Sequence, residues 1–220
     1  MPVPNDFSLS LSGGALLYGV HLDDDALSLL ERYSDILSLW NRTMNLVSKR
    51  DMDRFVEYHL LDSLKVSSCI DMVSLEKIMD FGSGAGLPGI PLKIAFPHLQ
   101  TVLVDSMAKR VNFLTHVISE LSLSSVSVIR SRVEEMPSSY NGAFDMVITR
   151  ATVSLLRAFS FTARFLRPKG MLVSIKGEQI ENELYELQQH VDSRLFNIGI
   201  FKPPVIEKVR TGYVVIITKR

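Results

Sequence analysis

The run Asp80-Phe81-Gly82-Ser83-Gly84-Ala85-Gly86 opens on a carboxylate and then sets glycine at every second position. Glycine adopts positive φ at little cost and has no Cβ, so a loop of this kind admits a ligand close to the backbone. In a dinucleotide site the spacing is G-x-G-x-x-G, and the pyrophosphate rests on the N-terminus of the following helix. Here the third glycine, Gly86, comes one place early, Leu87 stands where that spacing needs glycine, and an acid starts the loop. Both departures point away from NAD and towards a ligand without a pyrophosphate. Two further acids follow in order: Asp105, about 25 residues beyond Asp80, and Glu134. A carboxylate ending a strand can accept two hydrogen bonds from ribose hydroxyls. Each acid alone is an ordinary turn residue; their succession on consecutive strand ends argues for binding.

Those positions need elements that bring them together. From Lys77 onward, short apolar strands alternate with helices. Strands are read at Ile78–Phe81, Thr101–Asp105, Val126–Arg130, Phe144–Thr149 and Met171–Ile175. Helices are read at Leu87–Ala95, at Ala108–Leu121, after the fourth strand to about Leu166, and across Ile180–Val191. Arg167-Pro168-Lys169-Gly170 reads as a turn, and two β-rich stretches follow, the last at Tyr213–Thr218. This alternation predicts an α/β fold, a mostly parallel sheet with helices on both faces, whose ligands lie at the carboxyl edge of the strands. Upstream, Leu30, Tyr33, Leu37, Trp40, Met44 and Val47 recur at helical spacing after Asp23-Asp24-Asp25, which suits a helix N-terminus. Asp51 is placed to cap a second helix carrying Phe55, Val56, His59, Leu60 and Leu64. Met1 to Gly14 shows no periodicity and reads as a loose lead-in. One domain is expected: residues 1–76 as an N-terminal helical cap, 77–220 as the ligand-binding core.

Composition bounds the rest. The formal net charge is zero, yet residues 1–80 carry 7 Lys/Arg against 13 Asp/Glu, while residues 81–176 carry 11 against 5. Either the middle of the chain presents a basic face or these charges are scattered over a solvated surface. The one cysteine, Cys69, excludes an intrachain disulfide and a multi-cysteine metal site, and His21, His98, His116 and His190 show no ligand spacing, so no metal is expected. The sequence lacks a signal-peptide start and any apolar run of about 20 residues, so no membrane partner is expected and a cytosolic location fits.

The acidic-x-G-x-G-x-G loop is similar to that of class I methyltransferases, and its continuation is more discriminating. The run Asp80-Phe81-Gly82-Ser83-Gly84-Ala85-Gly86-Leu87-Pro88-Gly89-Ile90-Pro91-Leu92 closely resembles the bacterial small-subunit ribosomal RNA guanine-N7 methyltransferase family, also called glucose-inhibited division protein B. Further matches, in family order, are Asn45-Leu46-Val47-Ser48, His59-Leu60-Leu61-Asp62-Ser63-Leu64, Asp105 to Leu114, Ser131-Arg132-Val133-Glu134-Glu135, Thr149-Arg150-Ala151 and Lys176-Gly177. The resemblance covers roughly Leu30 to Gly177. It implies a Rossmann-like sheet, S-adenosylmethionine as cofactor, and N7 of a guanine in 16S ribosomal RNA, free or within the small subunit, as acceptor. The family's cofactor contacts fall on Gly82, Leu87 (Phe in many relatives), Val133, Glu134 and Arg150. Gly84 belongs to the same loop, and Asp105 is added from its strand-end position.

Guanine N7 carries a lone pair and no proton, so the implied reaction needs no general base and none is assigned. Alignment of the reacting atoms is the main task, and proximity of this kind can contribute ~7–11 kcal/mol. Arg150 has three open partners: the cofactor carboxylate, the guanine O6 edge or an RNA phosphate, the first and last being favoured because a bare cation beside a sulfonium is unfavourable. Lys109, Arg110, Arg130, Arg132, Lys169 and Lys176 are candidates for RNA phosphates, an exposed solubilising role being the alternative for each. His59 reads as a packed, hydrogen-bonded histidine, Trp40 as core, and Asn45 and Asp62 as structuring the cap or helping to bind RNA. A monomer is expected. Three other readings stay open: a methyltransferase acting on a small molecule or protein, a cofactor-binding factor without turnover, and an NAD-dependent oxidoreductase, which the glycine spacing disfavours.

Overall fold

The computed structural model describes residues 6–150 and 153–220. Seven strands form one sheet: β1 (Lys77–Phe81), β2 (Gln100–Asp105), β3 (Val126–Arg130), β4 (Phe144–Arg150), β5 (Leu166–Lys176), β6 (Phe196–Phe201) and β7 (Tyr213–Lys219). Their order is β3-β2-β1-β4-β5-β7-β6. The first five are parallel, while β7 runs antiparallel between β5 and β6. The chain reverses direction across the sheet between β1 and β4, and in such folds the crevice outside the carboxyl ends at that point receives ligands.

Alternation along the strands builds two cores. Met146 and Ile148 of β4, with Val214 and Ile216 of β7, face one apolar cluster, whereas Val147, Val215 and Ile217 face the other. The first cluster contains α5 (Gly89–Ala95) and α6 (Ala108–Glu120) together with the N-terminal helices α1 (Asp6–Leu17) and α2 (Asp24–Met44). The second is covered by α7 (Leu155–Thr162) and α8 (Glu181–His190). The N-terminal layer therefore shares its core with the sheet rather than sitting apart from it. Among the described residues no helix is long and apolar enough to cross a membrane.

Three readings in the N-terminal layer need correction. The lead-in is helical from Asp6; Met1–Asn5 lie outside the described residues. Leu11 and Ala15 are buried one turn apart, and Gly14 lies so close to Leu61 that a Cβ would stand 2.6 Å from its Cδ1. The glycine pair and serines that hide this periodicity are what let the helix approach closely. Next, Val47 lies outside the helix that carries Leu30, Tyr33 and Leu37. Asp23 caps that helix by accepting from the Ala26 N–H at 2.8 Å, and Asn45 ends it in the left-handed region at φ 48°. Asn41 then clasps Val47 through both its backbone N–H and carbonyl, each at 2.9 Å. Asp51, finally, is no cap. Ser48 caps the short α3 (Lys49–Met52), accepting from the Asp51 N–H at 3.2 Å, and the Asp51 carboxylate holds Arg210. A π-helical segment, Val56–Leu61, and the single turn α4 (Asp62–Leu64) follow.

The turn read at 167–170 is absorbed into β5. Pairing slips from Phe144↔Leu166 to Met146↔Met171, so Arg167 to Gly170 bulge out within the strand, with Lys169 at φ 64°.

Candidate active site

The glycine loop curls over the end of β2. Gly82, Gly84 and Gly86 all have positive φ, at 72°, 58° and 88°. The Gly82 and Ser83 N–H groups donate to the Val104 carbonyl at 2.9 and 3.1 Å, and the Ser83 hydroxyl accepts from the Val104 N–H at 3.1 Å. Asp105 completes the lock: one carboxylate oxygen accepts the Gly84 N–H at 2.9 Å, the other the Met107 N–H at 2.9 Å. A carboxylate has about four lone-pair sites, so these bonds leave Asp105 capacity for a ligand hydroxyl. From the N-terminal layer the buried Tyr33 hydroxyl donates to the Ala85 carbonyl at 2.6 Å, pinning the loop from above.

Asp80 lies fully buried beneath the loop. Its Oδ2 accepts the Gly89 N–H at 2.9 Å, and Oδ1 has no hydrogen-bond partner among the described residues. Burial pushes its acid up to about 7, against the Gly89 N–H and the nearby Arg150, which favour the charged form. Because this lies above the unfolded value, the folded chain holds the proton more tightly, and Asp80's contribution to stability falls as pH rises from about 4 to about 7.

A cleft of about 280 Å³ opens beside the loop, lined by Phe81, Gly82, Asp105, Arg110, Arg132, Val133, Glu134, Val153, Arg157 and Phe161 among others. It brings together six of the positions read from sequence: Gly82, Asp105, Val133, Glu134, Arg110 and Arg132. Arg164 fixes the Val133–Glu134 turn, donating from Nη2 to the Val133, Glu134 and Met136 carbonyls at 3.3, 3.2 and 2.9 Å. Two carboxylates, glycine backbone and apolar surface, beside the guanidinium groups of Arg110, Arg132 and Arg157, suit a nucleoside-bearing ligand that carries both a cation and a carboxylate. The open space at Gly84, where a Cβ would meet only the Gly82 carbonyl at 3.8 Å, fits S-adenosylmethionine as well.

Other positions lie elsewhere. Gly84, half-buried and bonded to Asp105, borders the cleft without lining it. Leu87 is buried in the core cluster shared with the N-terminal layer. Lys109 is exposed on the first turn of α6. Lys176 is only 8% exposed, bound to Glu183 at 2.8 Å and to the Val153 carbonyl at 2.7 Å. Ala151, the last residue of the Thr149-Arg150-Ala151 match, lies outside the described residues. Arg150 points into the N-terminal layer: its Nη1 lies 3.0 Å from His59 Nδ1, 3.3 Å from Asp62 Oδ2 and 3.4 Å from the Tyr58 carbonyl. Lys65 shares Asp62, at 2.6 Å.

A guanidinium only donates, so His59 Nδ1 accepts and the ring proton rests on Nε2. Burial, then Arg150 and Arg210, lower the imidazole to about 4, so His59 is neutral near pH 7. Its folded value lies below the unfolded one, so its contribution to stability is lost as pH falls from about 6.5 towards 4. Sequence reasoning missed Tyr33, Arg157 and Arg164 as parts of this site. The first is the buried face of an amphipathic helix, the others follow β4 on elements with no motif, and only contacts distant in sequence give them a role.

Comparison with known proteins now adds to this geometry. Residues 26–198 match the GidB family, described as rRNA small subunit methyltransferase G. A relative from Hydrogenovibrio crunogenus, "Ribosomal RNA small subunit methyltransferase G", is 36% identical over 202 residues, covering 91% of this chain and 90% of that protein. Another of the same name, from Nitrosococcus oceani, is 38% identical and covers 80% of each chain. Among solved structures, a methyltransferase from Geobacter sulfurreducens superimposes with a TM-score of 0.54 at 14% identity, covering 86% of this chain and 88% of that one. An rRNA methylase from Streptococcus thermophilus gives a TM-score of 0.50 at 15% identity over 66% and 86%. These last two support the fold alone, a class I methyltransferase sheet. With the loop, the cleft and a match spanning most of the sequence, the chain belongs to the GidB family of small-subunit ribosomal RNA methyltransferases.

Proposed function

We propose that this chain transfers a methyl group from S-adenosylmethionine to N7 of one guanine in 16S ribosomal RNA, working in the cytosol as a monomer. The observation that carries the reading is the family match over residues 26–198, joined to a cleft that brings together the glycine loop, Asp105 and the Val133–Glu134 turn. When bound, the cofactor supplies an electrophilic methyl group. Gly82, the Gly84 loop and Asp105 would hold its amino-acid and ribose portions, and Val133 with Glu134 its adenine. N7 has no proton to lose, so the chain's work is to orient and to keep water away. A neutral His59 tied to Arg150, and an Asp80 sealed under the loop, accord with a site built for alignment rather than proton transfer. Arg150 is tethered by Asp62 and His59 at the carboxyl end of β4, where an acceptor would approach.

The test is transfer of labelled methyl from S-adenosylmethionine to small subunits and to deproteinised 16S ribosomal RNA lacking the modification, with mapping of the product base. Label on one guanine N7 is the expected result. Label confined to a small molecule or a protein, with no salt sensitivity, would replace the RNA reading, since phosphate-driven binding weakens steeply with salt.

Asp80 gives a second expectation. A cationic cofactor above the loop favours its charged form, so binding at pH 6.5 releases a substantial fraction of a proton, and at pH 8.5 almost none. Calorimetric titration in two buffers of different ionisation enthalpy measures this; equal enthalpies at pH 6.5 would show that Asp80 does not sense the ligand.

A further inference from the structure

The carboxyl edge of the sheet has a second half that the cleft does not use. The cleft lies over β1, β2 and β3, with Val153 and α7 closing it on the β4 side. Over β5 and β7 runs the connection 202–212, which leaves β6 and enters β7 where Tyr213 pairs with Lys176. Gly212 presses on the Lys176 carbonyl so tightly that no side chain fits there. From this connection Arg210 reaches the N-terminal layer, binding Asp51 at 3.1 Å and standing 4.9 Å from the centroid of the Tyr58 ring. Arg54, four residues before Tyr58, stands 3.7 Å from the same centroid. Two guanidinium groups thus share one half-buried tyrosine. Asp51 answers one of them; among the described residues Arg54 has no carboxylate within ion-pair distance. The Tyr58 carbonyl in turn accepts from Arg150 at the end of β4, so this cluster borders the strand end where the acceptor approaches.

A tyrosine face holds guanidinium planes in place at low entropic cost. Planes held in this way, with an uncompensated charge, present what an unpaired nucleotide binds: a surface for the base to stack on and donors for its phosphate. The same rim adds Lys202, whose Nζ lies 5.9 Å from the Tyr213 ring, and Lys208. We propose that Arg54, Tyr58 and Arg210 form a stacking platform for an unpaired nucleotide of the substrate RNA, flanking the guanine that is methylated. This rests on the RNA reading above. It places one RNA contact over β5 and β7, on the opposite side of the acceptor position from Arg110 and Arg132.

The experiment compares the full-length wild type with Arg54→Ala/Arg210→Ala, Arg54→Lys/Arg210→Lys and Tyr58→Leu, using small subunits that lack the modification as methyl acceptor. The alanine pair is expected to raise KM for the subunits at least tenfold. It should also flatten the dependence of log kcat/KM on log salt by about one to two. The dissociation constant for S-adenosylmethionine should stay within twofold, which a general loss of folding would not allow. Tyr58→Leu is expected to weaken RNA engagement in the same direction. Unchanged KM and salt slope in the alanine pair would overturn the platform while leaving the functional reading intact. Full activity in the lysine pair would overturn stacking, because charge alone would then suffice. A wild type that labels no RNA would sink the functional reading, and the platform with it.

Discussion

Gly84→Val is expected to lower affinity for S-adenosylmethionine by at least 100-fold while the chain still folds. Gly84 sits at φ 58° and gives its N–H to Asp105. A Cβ added there meets nothing in the fold nearer than the Gly82 carbonyl at 3.8 Å, so the two methyl groups of valine would enter the open space before the loop. In the proposed site that space would take the cofactor, and the substitution fills it. The cost to folding is the left-handed backbone, roughly 1–2 kcal/mol for a residue with a side chain. Circular dichroism would therefore report a folded protein with a modestly lowered Tm, and calorimetry would find no heat of binding. Normal affinity in a folded Gly84→Val protein would place the cofactor elsewhere.

The other large effect is on stability. Asp62 is the counter-ion of Lys65 at 2.6 Å and of Arg150 at 3.3 Å, and the Asp62 and Lys65 side chains are each only 3% exposed. Asp62→Ala would leave both cations without a carboxylate where water hardly reaches, and breaking a buried pair in this way costs about 3–5 kcal/mol. For a chain of this size the expected fall in Tm is roughly 10 °C. Removing the most buried cation as well, in Asp62→Leu/Lys65→Met, should recover part of the loss, because only the better-solvated Arg150 remains unpaired. A Tm for Asp62→Ala within two or three degrees of wild type would mean that water or a rearranged side chain already compensates these charges.

What could be read in advance followed from short-range physics. The strand-helix alternation after Lys77 reflects periodicities of two and 3.6, and all five parallel strands fall within one or two residues of their expected bounds, apart from the bulged start of β5. The loop from Asp80 to Gly86 is legible because only glycine takes those φ values cheaply and because an acid opens it; that the acid serves the Gly89 N–H from below came from the structure. The first helix was hidden because its close packing on Leu61 requires Gly14, a residue that argues locally against a helix. The direction of Arg150 was equally hidden: nothing near it in sequence announces that Tyr58, His59 and Asp62, some 90 residues earlier, wrap around its guanidinium. Strand-end logic placed the residue at the right edge and left the pairing to tertiary contacts.

The Tyr33 hydroxyl on the Ala85 carbonyl joins a helix of the N-terminal layer to the glycine loop by one buried bond. Whatever orders that loop also removes configurations from α2, and whatever loosens α2 returns them to the loop. The two behave as thermodynamically linked partners, so the free energy by which a ligand tightens the N-terminal layer equals that by which the intact layer tightens the ligand. A Tyr33→Phe chain would keep every residue that lines the cleft and still bind more weakly, because part of the affinity would reside in a hydroxyl on a helix outside the cleft lining.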